Sequence, residues 1–331
     1  MHATFAARCI RKLSLNSAIL SRFSDHYRYK DLWSYTFSVM SVTCSRKICQ
    51  KVRCPQVMGE STLTKLLSYS TIRKSCSSID SLRASESLTD KSTSFAFSGC
   101  GWLTPFYFGV VHKMQQSGYL TEKSLVAGTS GGSLAALVAV SGVHPRVGLD
   151  LMIEMSLDKS FKNNIDLGLK RFLPAVLPDD IAERSNGRLH VCVTKLWPNP
   201  TGSPHIISQF QTKQNVVDAV AASCFIPLYS SPRGFFTTMV NKPFDYYIDG
   251  GVVGFMPPIG DVRVSPFNIL VFRRYPHIRI KANVFSAPRL LSWVLIPAPP
   301  DILEELYNEG YKAAGEWVAL KEDQQSLTIV G

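Results

Sequence analysis

The chain has no run of 18 apolar residues, so no segment predicts a membrane-spanning helix. It has no Cys-x-x-Cys and no close histidine pair, which removes the usual zinc sites. It has no Gly-Lys-Ser or Gly-Lys-Thr, which removes the phosphate-binding loop of that type. A dinucleotide fingerprint is also missing. The loop Gly99-Cys100-Gly101 carries Thr104 where the third glycine belongs, and Glu122 precedes the next strand instead of closing it. Acidic residues are absent from the first 24 positions, where Arg8, Arg11, Lys12 and Arg22 lie among serines and small apolar residues. That composition predicts an organelle transit peptide, mitochondrial or plastid, or else a disordered basic tail. The same basic residues interrupt the apolar core that a secretory signal needs.

The basic character belongs mostly to this part. Residues 1–90 hold 14 Lys/Arg against 6 Asp/Glu, whereas residues 91–331 hold 22 against 19. The formal net charge of +11 therefore marks no basic stripe on the globular part, and nucleic-acid binding is not expected. Five of the eight cysteines, Cys9, Cys44, Cys49, Cys54 and Cys76, fall before residue 80. Cys100, Cys192 and Cys224 stand in apolar surroundings and predict core thiols in a reducing compartment, with no metal and no other cofactor. Residues 1–90 read as a basic, Ser-rich targeting or disordered segment, with a helix over 63–72 and a linker over 75–94. Residues 91–331 read as one globular domain without internal repeats.

What is present is a set of glycine-flanked polar residues at the ends of short apolar runs. Residues 128–132 read Gly-Thr-Ser-Gly-Gly, between the strand-like Leu125-Val126-Ala127 and the helix-forming run Leu134 to Val140. This is the pattern of a nucleophile elbow. Gly128 and Gly132 permit a tight turn, and Ser130 sits at the positive end of a helix. A second cluster, Gly99-Cys100-Gly101, follows the strand Phe95-Ala96-Phe97. It is a tight turn or a place where backbone N–H groups point into a pocket, as an oxyanion hole requires. A third, Tyr246-Tyr247-Ile248-Asp249-Gly250-Gly251, ends an aromatic strand in an aspartate. Asp-Gly after a strand is commonly a plain turn, and equally leaves room around a functional carboxylate.

In this order the three segments resemble the patatin-like phospholipase family, in its adipose triglyceride lipase and adiponutrin branch. Gly99-Cys100-Gly101-Trp102-Leu103 is similar to that branch's Gly-Cys-Gly-Phe-Leu. Ala222-Ser223-Cys224-Phe225-Ile226-Pro227, Val264-Ser265-Pro266-Phe267 and Gly310-Tyr311-Lys312-Ala313-Ala314 are similar to stretches before, after and well beyond its aspartate strand. The resemblance runs from about 95 to 320. It implies a Ser–Asp dyad with Ser130 as nucleophile and Asp249 as general base, and an oxyanion hole at Gly99, Cys100 and Gly101. It implies a lipid ester as substrate, met at a membrane or lipid-droplet surface. Two departures stand out: Thr104 replaces a glycine of that branch, and the elbow reads Ser-Gly-Gly in place of Ser-Ala-Gly.

The alternation of strand-like and helix-like segments predicts an α/β domain, a three-layer α/β/α patatin-like fold with a mainly parallel central sheet. Strands are expected at 95–97, 125–127, 189–194, 205–210, 246–248 and 268–272. Helices are expected at 106–117, 133–140, 145–157, 216–222 and onward from Asp301, with a turn at 197–204. Pro288 to Pro300 is strongly apolar, which suits either core or a lipid-facing patch. The leading expectation is a lipid acyl hydrolase. Its rivals are an acyltransferase using the same dyad, an α/β-hydrolase whose triad is completed by His277, and a catalytically inactive lipid-binding scaffold.

Overall fold

Phe95, Ala96 and Phe97 are too apolar for either face of a strand to meet water, and they form β1 (Phe95–Phe97) at the heart of the domain, fully buried. In the computed structural model, residues 91–330 are described, except 162, 199, 201–202, 268–275 and 282. β2 (Val126–Thr129) and β7 (Val262–Val264) flank β1, both parallel to it. β3 (Leu189–Trp197) runs parallel to β2. It pairs antiparallel with β4 (His205–Ile207) through Val191–Val193 and, past the end of β2, with β6 (Lys242–Ile248). β5 (Thr237–Met239) pairs antiparallel with β6 and ends the sheet, whose order is β5-β6-β3-β2-β1-β7 with β4 beside β3. The fold is thus α/β with a mixed sheet, parallel through β3, β2, β1 and β7.

Eight helices among the described residues connect and flank these strands. α1 (Thr104–Gln116) starts with Pro105 in its first turn. α2 (Gly131–Ser141) is stopped by Gly142 in the left-handed conformation. α3 (Pro145–Leu157) is capped by His144, which accepts the Arg146 N–H. α4 (Ile165–Val176) and α5 (Ile181–Ser185) lead into β3. α6 (Lys213–Ser223) is capped by the Thr212 hydroxyl, which accepts the Asn215 N–H at 3.2 Å. α7 (Ala287–Ser292) and α8 (Pro300–Val330) complete the chain. α8 lies directly on α1: a Cβ on Gly310 would fall 1.8 Å from the Phe106 carbonyl oxygen, and one on Gly109 1.9 Å from that of Tyr307.

Several expectations are corrected. α1 begins two residues before Phe106, because Pro105 favours a first helical turn and the Thr104 hydroxyl closes it onto the Gly101 carbonyl at 2.7 Å. The return strand from His205 ends at Ile207. The short strands β5 and β7 and the helices α4 and α5 were not expected. Three-residue strands carry too little alternation to read, and Pro174 lies inside α4. Of the apolar stretch 288–300, Leu290 and Ala298 are buried while Ile296 is 58% exposed, so it is core on one side and surface on the other. The helix expected at 63–72, the strand at 268–272, the five early cysteines and most of the linker lie outside the described residues.

Candidate active site

The three glycine-flanked segments, at Gly99–Gly101, Ser130 and Asp249, sit at the carboxyl edge of the parallel strands, where loops leave the sheet and open α/β folds bind their ligands. β2 ends at Thr129, and Ser130 turns the chain into α2 with φ 53° and ψ −129°. That positive-φ conformation is costly for a non-glycine residue and is held from several directions. The Ser130 N–H donates to Ser223 Oγ at 2.9 Å, and Ser223 Oγ in turn donates to the Cys192 carbonyl at 2.7 Å. Ser133 Oγ donates to the Ser130 carbonyl at 2.7 Å. Gly128 and Gly132 pass so closely that a Cβ on Gly128 would lie 2.2 Å from the Gly132 oxygen.

β6 delivers Asp249 to the same edge. Its backbone is clamped by the Phe225 carbonyl, which accepts the Asp249 N–H at 2.7 Å, and by Thr194 Oγ1, which donates to the Asp249 carbonyl at 2.8 Å. One carboxylate oxygen, Oδ2, accepts the Ser130 hydroxyl at 2.6 Å; the other, Oδ1, accepts the Gly251 N–H at 2.7 Å. Gly250 packs against the Cys192 carbonyl, where a Cβ would sit 2.1 Å away. Ser130 is 8% and Asp249 5% exposed. Burial pushes the Asp249 carboxyl up to about 6, and the bonds from Ser130 and Gly251 oppose that shift.

The first glycine loop faces this pair. Gly131 of the elbow lies against it: a Cβ there would be 2.4 Å from Thr104 Oγ1 and 2.8 Å from Cys100 Sγ. The loop differs from expectation at one residue. The Gly99 N–H already donates to the Phe255 carbonyl at 2.8 Å, so it ties the loop to the chain after Asp249 and does not point into the site. Among the described residues, no carbonyl accepts the N–H of Cys100 or Gly101. Burial raises the Cys100 thiol to about 12 and the Cys224 thiol higher still, so both stay protonated.

His277 lies elsewhere. Its Nδ1 accepts the Arg263 N–H at 3.0 Å, on β7, while both carboxylate oxygens of Asp249 are engaged by Ser130 and Gly251. Burial, with Arg263 and Lys321 nearby, lowers the His277 pKa. Sequence reasoning missed Ser223, Thr194 and Ser133 as positioning residues. Ser223 stood within a quoted motif, but nothing local reveals that a hydroxyl 93 residues away holds the Ser130 N–H. Among the described residues no group of three His, Cys, Asp or Glu side chains could hold a metal ion.

Comparison with known proteins identifies the family. Residues 95–261 match the family model described as patatin-like phospholipase. The human protein named patatin-like phospholipase domain-containing protein 2 is 29% identical over 251 residues, covering 67% of this chain and 47% of that protein. The human omega-hydroxyceramide transacylase is 29% identical over 180 residues, covering 51% of this chain and 32% of the relative. The mouse 1-acylglycerol-3-phosphate O-acyltransferase Pnpla3 is 26% identical over 189 residues, covering 53% and 43%. The chain thus spans less than half the length of each of these relatives. The crystal structure of VipD from Legionella pneumophila aligns with a TM-score of 0.41 and 14% identity, over 69% of this chain and 67% of that one. With the family model covering half of its length, and with the elbow, glycine loop and aspartate strand in place, the chain belongs to the patatin-like phospholipase family.

Proposed function

We propose that this chain is a serine acyl hydrolase of lipid esters, working through Ser130 and Asp249. The observation that carries the reading is the 2.6 Å bond from the Ser130 hydroxyl to a buried carboxylate. A carboxylate is a weak base for a serine. Burial brings it closer to the task by raising its proton affinity while leaving it ionised near neutral pH. As Ser130 Oγ bonds to the ester carbonyl carbon, its proton passes to Asp249 Oδ2. The charge on the carbonyl oxygen is met by the N–H groups of Cys100 and Gly101 and by the positive end of α2. Collapse breaks the ester C–O bond, and the leaving alcohol takes the proton from Asp249. Water then gives a proton to Asp249 and bonds to the acyl carbon; collapse breaks the bond from that carbon to Ser130 Oγ, Oγ takes the proton back from Asp249, and the fatty acid leaves.

An alcohol in place of water makes the second half an acyl transfer. Two of the relatives are named for such transfers, so the test scores both outcomes. The purified chain is incubated with triacylglycerol, phospholipid or galactolipid, with and without a lysophospholipid acceptor, and the products are identified. Free fatty acid without acceptor supports hydrolysis; product formed only with acceptor supports transfer. Ser130→Ala removes the covalent path, and the rate should fall by several powers of ten. A folded Ser130→Ala protein with parental activity overturns both.

A further inference from the structure

We propose that the β5–β6 hairpin is a lipid-docking finger that sets the catalytic edge of the domain against an acidic lipid surface. The proposal rests on the acyl-hydrolase reading for the kind of surface, and on strand register for the geometry. β2 ends level with Cys192 of β3, immediately before Ser130. β6 pairs with β3 through Thr194↔Ile248 and Trp197↔Tyr246. Because β6 runs antiparallel, its early residues 242–245 lie beyond the end of β3, past the level of Ser130 and Asp249. Six residues separate Ile248 from Lys242, which spans roughly 20 Å at about 3.3 Å per residue. The hairpin therefore projects from the sheet at the edge that carries Ser130 and Asp249.

What it projects is apolar. Phe244 is 81% and Val240 73% exposed, and Phe235, Phe236 and Trp197 lie exposed around them. Phe236 stacks on Tyr246 with ring centroids 4.1 Å apart, so the aromatic group is held in place before any partner arrives. Exposed apolar surface of this kind marks an interaction site. Lys242 and Arg233 are exposed on the same hairpin and its approach, while Asp245 is paired with Lys195 at 2.8 Å. Aromatic residues interleaved with cations match the boundary between acyl chains and acidic headgroups. A second copy of the chain fits this edge less well. β5 has three residues, its pairing with β6 shifts register, and Pro243 offers no N–H.

The test is co-sedimentation of the full chain with vesicles of phosphatidylcholine, with and without phosphatidylserine, at low salt and at about 0.5 M salt, where charge attraction from residues 1–90 is screened. The comparison is between parent and a Val240→Asp, Phe244→Asp double variant; both positions are exposed, so thermal unfolding should be unchanged. Binding at high salt should fall tenfold or more in the double variant, and Lys242→Glu should weaken binding only where phosphatidylserine is present. A double variant that sediments like the parent overturns the proposal. So does a parent that binds no vesicle, or one that elutes as a dimer which the double variant dissolves without loss of vesicle binding. Sedimentation needs no turnover, so a failure here is separate from a failure of Ser130→Ala to abolish ester cleavage.

Discussion

Asp249 carries a conflict between folding and chemistry. Its folded-state pKa is raised from 3.8 to about 6, so the folded protein binds the proton more tightly than the unfolded chain does. The resulting stability is full below about pH 4 and is lost as pH rises through about 6; two units correspond to about 3 kcal/mol at most. Catalysis needs the ionised form, so kcat/KM on a soluble ester should rise with pH through an acid limb near 6. Asp249→Asn should lose nearly all activity and yet melt higher than the parent at pH 7.5, by on the order of 1–3 kcal/mol in denaturant titration. A less stable Asp249→Asn protein would show that the carboxylate's bonds outweigh its burial. His277→Ala, by contrast, should keep parental kcat/KM, since that imidazole is bonded to Arg263. A second residue-scale test concerns the two departures from the related branch, which meet in space. Gly131→Ala alone would place a methyl against Thr104 Oγ1 and should destabilise by about 1–3 kcal/mol. Adding Thr104→Gly should recover part of that loss, and strict additivity in the double-mutant cycle would show the pair to be uncoupled.

At the scale of elements, α1 matters because it begins at the first loop. Its packing on α8 relies on two glycines that let the backbones touch, Gly109 and Gly310. Any side chain there forces the helices apart, and α1 carries Thr104 and the Gly101–Leu103 turn with it. Gly310→Ala is therefore expected to cost about 2–3 kcal/mol in denaturant titration and to lower esterase activity, although Gly310 touches no reacting group. Wild-type stability in that variant would mean that α8 slides without strain. The first loop is also tied from outside. The Trp102 N–H donates to the Val294 carbonyl at 3.1 Å, and Trp102 Nε1 donates to Tyr229 Oη at 2.8 Å. The apolar stretch after α7 thus supports the loop through its backbone while leaving Ile296 exposed.

For the whole molecule, we propose that residues 1–90 carry an address and residues 91–331 the chemistry. The first described residues already belong to the domain: Lys91 pairs with Glu322 at 3.0 Å, and the Thr93 N–H donates to the Tyr119 carbonyl at 3.0 Å. A chain beginning at residue 90 should fold and keep parental esterase activity. Loss of folding on that truncation would move the boundary toward the N-terminus. The first 50 residues fused to a fluorescent reporter should carry it into a mitochondrion or plastid. A diffuse reporter would leave them a basic tail.

The strand–serine–helix turn was legible in the chain itself, because its requirements are local: an apolar strand, two glycines and a helical run within the sixteen residues from Leu125 to Val140. β1, α3 and the extent of β3's buried part were legible for the same reason. Asp249 was visible only as an Asp-Gly-Gly after aromatic residues, and a turn would look the same. Tertiary structure decided the rest. It placed Asp249 against a serine 119 residues away, set Ser223 behind the Ser130 N–H, and removed the Gly99 N–H from the site by giving it to Phe255. It also turned the sheet antiparallel beyond β3, which lifts the β5–β6 hairpin past the catalytic edge. These outcomes depend on which backbone groups meet across the sheet. Long-range hydrogen bonding leaves no periodic trace in sequence, because each contact is satisfied by one residue of a common type.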